Sequence, residues 1–157
     1  MLSFRFKILL SPLFVALLLT SCNRADLYTQ AVDIHGSWSK NDTVKFTVPV
    51  TDTLSLYNFY FDIRHTVKYR YSNLYLFMQT HFPNGTYTKD TLEIMLATVQ
   101  GKWMGKGWGE IKEDHVLLKS KLKFPMPGNY EFLIWQAMRV DTLRAIKSVG
   151  LNIEKVE

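Results

Sequence analysis

The chain has 157 residues, 47% of them hydrophobic and 21% charged, with 19 Lys and Arg against 14 Asp and Glu for a net charge of +5. The basic residues are scattered and form no run of five or more, so nucleic-acid binding is not supported. A single cysteine excludes an internal disulfide, so one domain of common size must be held by its core alone.

The chain opens with Arg5 and Lys7, an apolar run from Ile8 to Leu19, and small residues before Cys22. A basic start, a short apolar stretch and small residues at a cleavage point make a secretory signal. The run is shorter than the roughly 20 apolar residues that span a bilayer, and Ser11 and Pro12 interrupt it. Leu19-Thr20-Ser21-Cys22 resembles the bacterial lipobox. That resemblance implies diacylation of the Cys22 thiol, cleavage before Cys22 and acylation of the new amino terminus. The expected organisation is a lipoprotein signal peptide over 1–21, a lipidated tether over 22–36 and a single domain over 37–157. Loss of the signal removes Arg5 and Lys7 and lowers the net charge to +3. Two or three acyl chains hold such a domain to a membrane, at about 0.8 kcal/mol per buried methylene.

Beyond the tether, short alternating segments dominate. Val44–Val48 alternates. Ser55–Ile63 puts Tyr57, Phe59, Phe61 and Ile63 on one face. Asn73–Phe82 is rich in aromatics, and Thr91–Thr98 aligns Leu92, Ile94 and Leu96. Trp108–Lys119, Tyr130–Met138 (Tyr130, Phe132 and Ile134 inward) and Val149–Ile153 complete the series. Period-two alternation with β-branched and aromatic residues predicts half-buried strands. Pro83-Asn84-Gly85, Gln100-Gly101 and Pro125–Asn129 supply turns between them. The expected fold is all-β, an antiparallel β-sandwich. Over Asp141–Ser148, Leu143 and Ile146 stand three apart, which predicts a helical turn. Asp-Thr recurs at Asp42, Asp52, Asp90 and Asp141; an Asp that bonds amides just downstream, followed by a β-branched Thr, reads as a strand-entry turn. A metal site built from these aspartates does not match EF-hand spacing.

Catalytic motifs are absent. His35, His65, His81 and His115 are far apart, and no HExxH, GxSxG or P-loop pattern occurs. The expectation is a non-enzymatic domain without cofactor or metal.

Three stretches concentrate binding chemistry. Ile63–Tyr75 carries Arg64, His65, Lys68 and Arg70 with Tyr69, Tyr71 and Tyr75, which suits a surface for a partner or a sugar; the alternative is that Tyr69 and Tyr71 plug the end of the sandwich. Gly101–Gly109 sets Trp103 and Trp108 among four glycines. It reads either as a loop that presents aromatic faces or as one that folds them over the core. In Ile134–Arg139, Gln136 falls on the inward face and must find hydrogen bonds there.

At these residues the chain resembles the gliding motility lipoprotein GldH family of Bacteroidota. The matching segments are Arg64-His65-Thr66 with Tyr71 to Phe77, the Gly101–Gly109 loop, Gln136-Ala137-Met138-Arg139, and Val149-Gly150-Leu151 with Ile153-Glu154-Lys155. With the lipobox they run in order across almost the whole mature chain. The resemblance implies a lipoprotein of the outer membrane or periplasm, needed for gliding and working near the type IX secretion apparatus. It carries over no activity, cofactor or defined binding residue; only Cys22 transfers with a role. Asn23-Arg24-Ala25-Asp26 has no acidic run of the kind that suggests surface export, so a periplasm-facing domain is expected. The expected partners are the membrane, through the acyl chains on Cys22, and proteins of a motility or secretion complex. A glycan- or peptidoglycan-binding module using the same aromatics is the alternative. The candidate partner surface is Arg64, His65, Tyr69, Tyr71, Trp103 and Trp108.

Overall fold

A computed structural model describes residues 26–156. The signal segment and Cys22 lie outside the described residues. Among the described residues ten strands run in chain order: β1 Asp26–Asp33, β2 Ser37–Ser39, β3 Val44–Val50, β4 Tyr57–Thr66, β5 Asn73–His81, β6 Tyr87–Met95, β7 Ile111–Leu122, β8 Gly128–Gln136, β9 Thr142–Arg144 and β10 Ile146–Lys155. They form two four-stranded sheets, β1-β10-β4-β7 and β3-β8-β5-β6, with a two-stranded β2-β9 ribbon. All pairings are antiparallel. The all-β sandwich expected from alternation is present.

The inward faces follow the sequence pattern. Phe61, Ile63, Leu151 and Ile153 from one sheet face Phe46, Leu76, Ile94 and Ile134 from the other, each no more than 1% exposed. Fully burying such a side chain contributes about 1.5–3 kcal/mol. The β2-β9 ribbon adds Trp38 and Leu143, which pair across it and are buried. Trp38 donates its indole N–H to the Asp42 carbonyl at 2.9 Å. Pro49 sits in β3, an edge strand, where its missing N–H costs least.

Two expectations are corrected. The tether expected over 22–36 contains β1, which pairs with β10 from Asp26↔Glu154 to Asp33↔Ser148. It is an edge strand with a half-exposed burial pattern, so its alternation is weak in the sequence. The helical turn expected over Asp141–Ser148 is instead β9 followed by β10. Ala145, at φ 71, reverses the local path between them. That break lets Leu143 and Ile146 both point inward at a spacing of three.

The Asp-Thr pairs divide. Those at Asp42 and Asp141 do precede β3 and β9, whereas Asp90-Thr91 lies inside β6. Asp52 closes a turn ahead of β4, accepting from the Leu54 and Ser55 amides at 2.9 and 3.1 Å.

Register defines two poles. At one, Asp26 lies beside Glu154, Glu154 beside Asn58, and Tyr57 beside Leu122. At the other, Asp33 lies beside Ser148 and Thr66 beside Ile111. The ten residues of β4 separate them by about 30 Å. The pole where β1 begins is called the N-terminal pole below, and the other the distal pole.

Candidate interaction surface

The distal pole gathers all six residues of the candidate surface and divides them into an interior set and an exterior set. Ile63 and His65 continue the inward face of β4, so His65 is 0% exposed. Tyr69 follows in the turn after β4, is buried, and donates its hydroxyl to the Asn73 carbonyl at 2.9 Å. His65 and Tyr69 are therefore not surface residues, which corrects that part of the expectation. Burial, with Tyr71 nearby, pushes the Tyr69 hydroxyl well above its ordinary pKa. Tyr71 is partly buried and meets Tyr69 edge-on, centroids 5.6 Å apart. Trp103 is also partly buried, with its ring 4.7 Å from His65 and 6.5 Å from Tyr69. These four rings close the distal end of the sandwich.

His65 has oxygen acceptors on both sides. Its Nδ1 lies 3.0 Å from the Thr66 carbonyl, so that nitrogen carries the proton and donates it. Its Nε2 faces Asp114 Oδ2 on β7 at 3.3 Å, within ion-pair range but out of line for a hydrogen bond. The 97–110 segment packs over this pair. Trp103 bridges Ala97, and Lys106 exchanges backbone hydrogen bonds with Glu113 at 2.9 and 2.7 Å, which covers part of the open edge of β7. Gly105 makes this approach feasible. A Cβ there would collide with Asp114 Oδ2 and come within 2.9 Å of the Glu113 carbonyl oxygen.

The exterior set is Arg64 and Trp108. Arg64 points outward from β4 and holds Glu113 at 2.8 Å, an exposed ion pair of small energetic value. Trp108 is 98% exposed. Gly107 at φ 135 and Gly109 at φ 61 turn the chain on either side of it. Lys112 caps the Gly107 carbonyl at 3.0 Å, and the Glu110 carbonyl accepts from the Val67 amide at 2.8 Å. The loop backbone is thus tied down while the ring stands in solvent. The two loop tryptophans have opposite fates: Trp103 covers the core and Trp108 does not.

Residues 26–153 match the family model described as GldH lipoprotein. The chain belongs to the GldH lipoprotein family. It is 35% identical over 150 residues to "Gliding motility lipoprotein GldH homolog" of Christiangramia forsetii, covering 91% of this chain and 92% of the relative. It is 33% identical over 150 residues to "Gliding motility lipoprotein GldH" of Flavobacterium johnsoniae, covering 91% and 93%. Among solved structures, the VP2 subviral particle of infectious bursal disease virus matches at a TM-score of 0.31 and 12% identity. That match covers 83% of this chain and 30% of the viral one. The match to the GldH model begins at the first residue of β1, in keeping with a strand rather than a tether there.

One constellation in this GldH family member had no signal in sequence spacing. On the outer face of the first sheet, His115 of β7 meets Asp62 of β4 at 2.5 Å and stacks on Tyr60 with centroids 4.1 Å apart. Glu154 stands 3.8 Å from its other nitrogen. Register brings Asp62 opposite His115, 53 positions away, and only knowledge of strand order could have paired them. A carboxylate that orients an imidazole is half of a nucleophile-activating device. The hydrogen bond His115 makes among the described residues is to Asp62, with no hydroxyl as partner. Gln136, in contrast, behaves as expected: it is 1% exposed, donates to the Val140 carbonyl at 3.0 Å and accepts from the Met138 amide at 2.8 Å. No group of three or more His, Cys, Asp or Glu able to hold a metal occurs among the described residues. No helix among them is long and apolar enough to cross a membrane.

Proposed function

We infer that this protein is a lipid-anchored, non-enzymatic accessory component of the gliding motility machinery, working beside type IX secretion on the periplasmic side of the outer membrane. Cys22 carries the acyl chains, and the distal pole holds a protein partner. The observation that carries this reading is the exposure of Trp108 at the tip of a backbone-fixed loop. Burying a Trp ring removes roughly 150–250 Å² from water, a gain of about 4–6 kcal/mol that the isolated domain leaves unused. Interface anchors are often of this kind, an aromatic ring with cations and apolar neighbours around it. Arg64, Lys68 and the half-exposed Val67 supply those surroundings. The names of the two curated relatives support the motility assignment.

The experiment is complementation of a deletion strain in the protein's own organism. Trp108→Ala should reach wild-type abundance in the envelope and fail to restore colony spreading, while Cys22→Ala fails by losing the membrane fraction. Full spreading with Trp108→Ala removes the distal pole from the account. Binding of purified protein to cell-wall fragments, lost with Trp108→Ala, would instead favour the glycan-binding reading.

A further inference from the structure

At the N-terminal pole a gap lies between the edge strands β6 and β7. The gap is a cavity of about 210 Å³. Its walls are mostly apolar, with Phe59, Met78, Leu118, Phe124, Phe132 and Leu151 outweighing Thr80 and Thr88. Phe124 seals the floor through Tyr57 and Tyr130, at 5.3 and 4.8 Å between centroids. Tyr130 pins the 125–128 turn beside it, donating to the Met126 carbonyl at 2.8 Å. Apolar cavities of roughly 150 Å³ stay dry and accept apolar guests. The rim has the opposite character. Lys119 and Lys123 line it, and Lys121 lies between them in the chain. The acidic group paired at this rim is Asp90, 3.1 Å from Lys119 across the two sheets. Lys123 has no ion-pair partner among the described residues.

We propose that this cavity binds a segment of one acyl chain of an anionic membrane lipid, with the lysines of the 119–123 segment on its headgroup. Three arguments select that occupant. The lining takes hydrocarbon and offers little to a polar guest. The rim is cationic and complements a phosphate or carboxylate head. The cavity also sits at the pole where β1 begins, and only residues 23–25 separate β1 from Cys22. Four extended peptide steps reach at most about 14 Å, so a chain acylated at Cys22 holds this pole against the bilayer surface. Half-exposed Leu122 and exposed Leu54 and Tyr87 lie on the same pole. The proposal rests on the anchoring part of the functional reading and is independent of Trp108.

The test is a titration of the mature chain from residue 22 carrying Cys22→Ser, which has no lipid of its own, with the fluorescent fatty acid cis-parinarate and with its uncharged methyl ester. Saturable one-to-one enhancement is expected with the acid. Leu118→Trp, which fills the cavity, should weaken binding at least tenfold, with retention of the melting transition checking its fold. Lys119→Ala with Lys123→Ala, both on the surface, should weaken the acid about fivefold and leave the ester unchanged. Absence of saturable binding, or Leu118→Trp binding like the parent, overturns the proposal. Native mass spectrometry of the lipidated protein decides the source of the chain. One additional noncovalent anionic lipid is expected. A lipidated protein that carries none assigns the cavity to the acyl groups on Cys22 and overturns the membrane-lipid assignment. Spreading by Trp108→Ala strains has no bearing on any of these readouts.

Discussion

Nε2 of His65 stands 3.3 Å from Oδ2 of Asp114, and both atoms are shut off from solvent. The pair joins β4 to β7 beneath the Trp103 ring, where the two sheets and the 97–110 segment meet. It is the polar keystone of the distal pole. Removing one partner of this buried polar pair leaves the other's polar atom facing an apolar gap and costs about 1–3 kcal/mol. Asp114→Ala and His65→Ala should each lower stability by that order in urea denaturation. The double change His65→Phe with Asp114→Leu should recover more than half of the loss. Single substitutions that each cost under about 1 kcal/mol would remove the pair from this role.

Gly105 should tolerate no side chain. Its Cβ would strike Asp114 and the Glu113 carbonyl, and the second of these is backbone that cannot swing aside. Gly105→Ala should cost about 1–3 kcal/mol through overpacking. Hydrogen exchange should speed up at the Lys106 and Glu113 amides, which hold the segment to β7. Unchanged exchange at those amides would contradict the tight approach.

The loop tryptophans should separate in a stability assay. Trp103→Ala removes the lid from His65 and Tyr69 and should cost about 2–3 kcal/mol, less than a fully buried ring. Trp108→Ala touches nothing in the folded chain and should stay within about 0.5 kcal/mol of the parent. Equal losses at both positions would mean that Trp108 is also covered.

Asp52 should contribute to the acid limb of stability. The Ser55 hydroxyl first, then the Leu54 and Ser55 amides, then Lys155, hold its carboxyl far below the ordinary value. A group with a depressed folded pKa stabilises above its unfolded value of about 3.9, and that contribution is lost as pH falls below it. Asp52→Asn should therefore lower the melting temperature near pH 7, where the ionised carboxyl contributes, and converge on the parent as pH falls below about 4, which flattens the variant's acid decline. A parallel decline in both proteins would show that the turn contributes nothing to acid stability.

Much of this architecture was legible because alternation reports burial directly. The odd-numbered face of β4 runs Tyr57, Phe59, Phe61, Ile63, and the same rule continued by one step places His65 inside. Its setting between Arg64 and Lys68 made it read as surface; the period was the better guide. Trp103 and Trp108 carry no periodicity at all. Their fates depend on where the Gly105 contact and the Lys106–Glu113 pairing stop the chain, which is tertiary information. β1 was hidden because an edge strand half exposed on both faces does not alternate cleanly. Leu143 and Ile146 mimicked a helix because a single left-handed residue, Ala145, shifts strand parity by one. The His115–Asp62 contact and the lysine-rimmed cavity come from segments far apart in sequence, so no local pattern could announce them.

The most direct measurement is site-specific photocrosslinking in living cells, with a benzophenone amino acid placed at position 108 or at position 54. Trp108 crowns the distal pole, and Leu54, 83% exposed, lies at the N-terminal pole. The account predicts a discrete protein adduct from position 108 containing a component of the motility or secretion machinery. Position 54 should give lipid adducts or none. The same protein adduct from position 54, with none from position 108, would contradict the assignment of the distal pole as the partner surface.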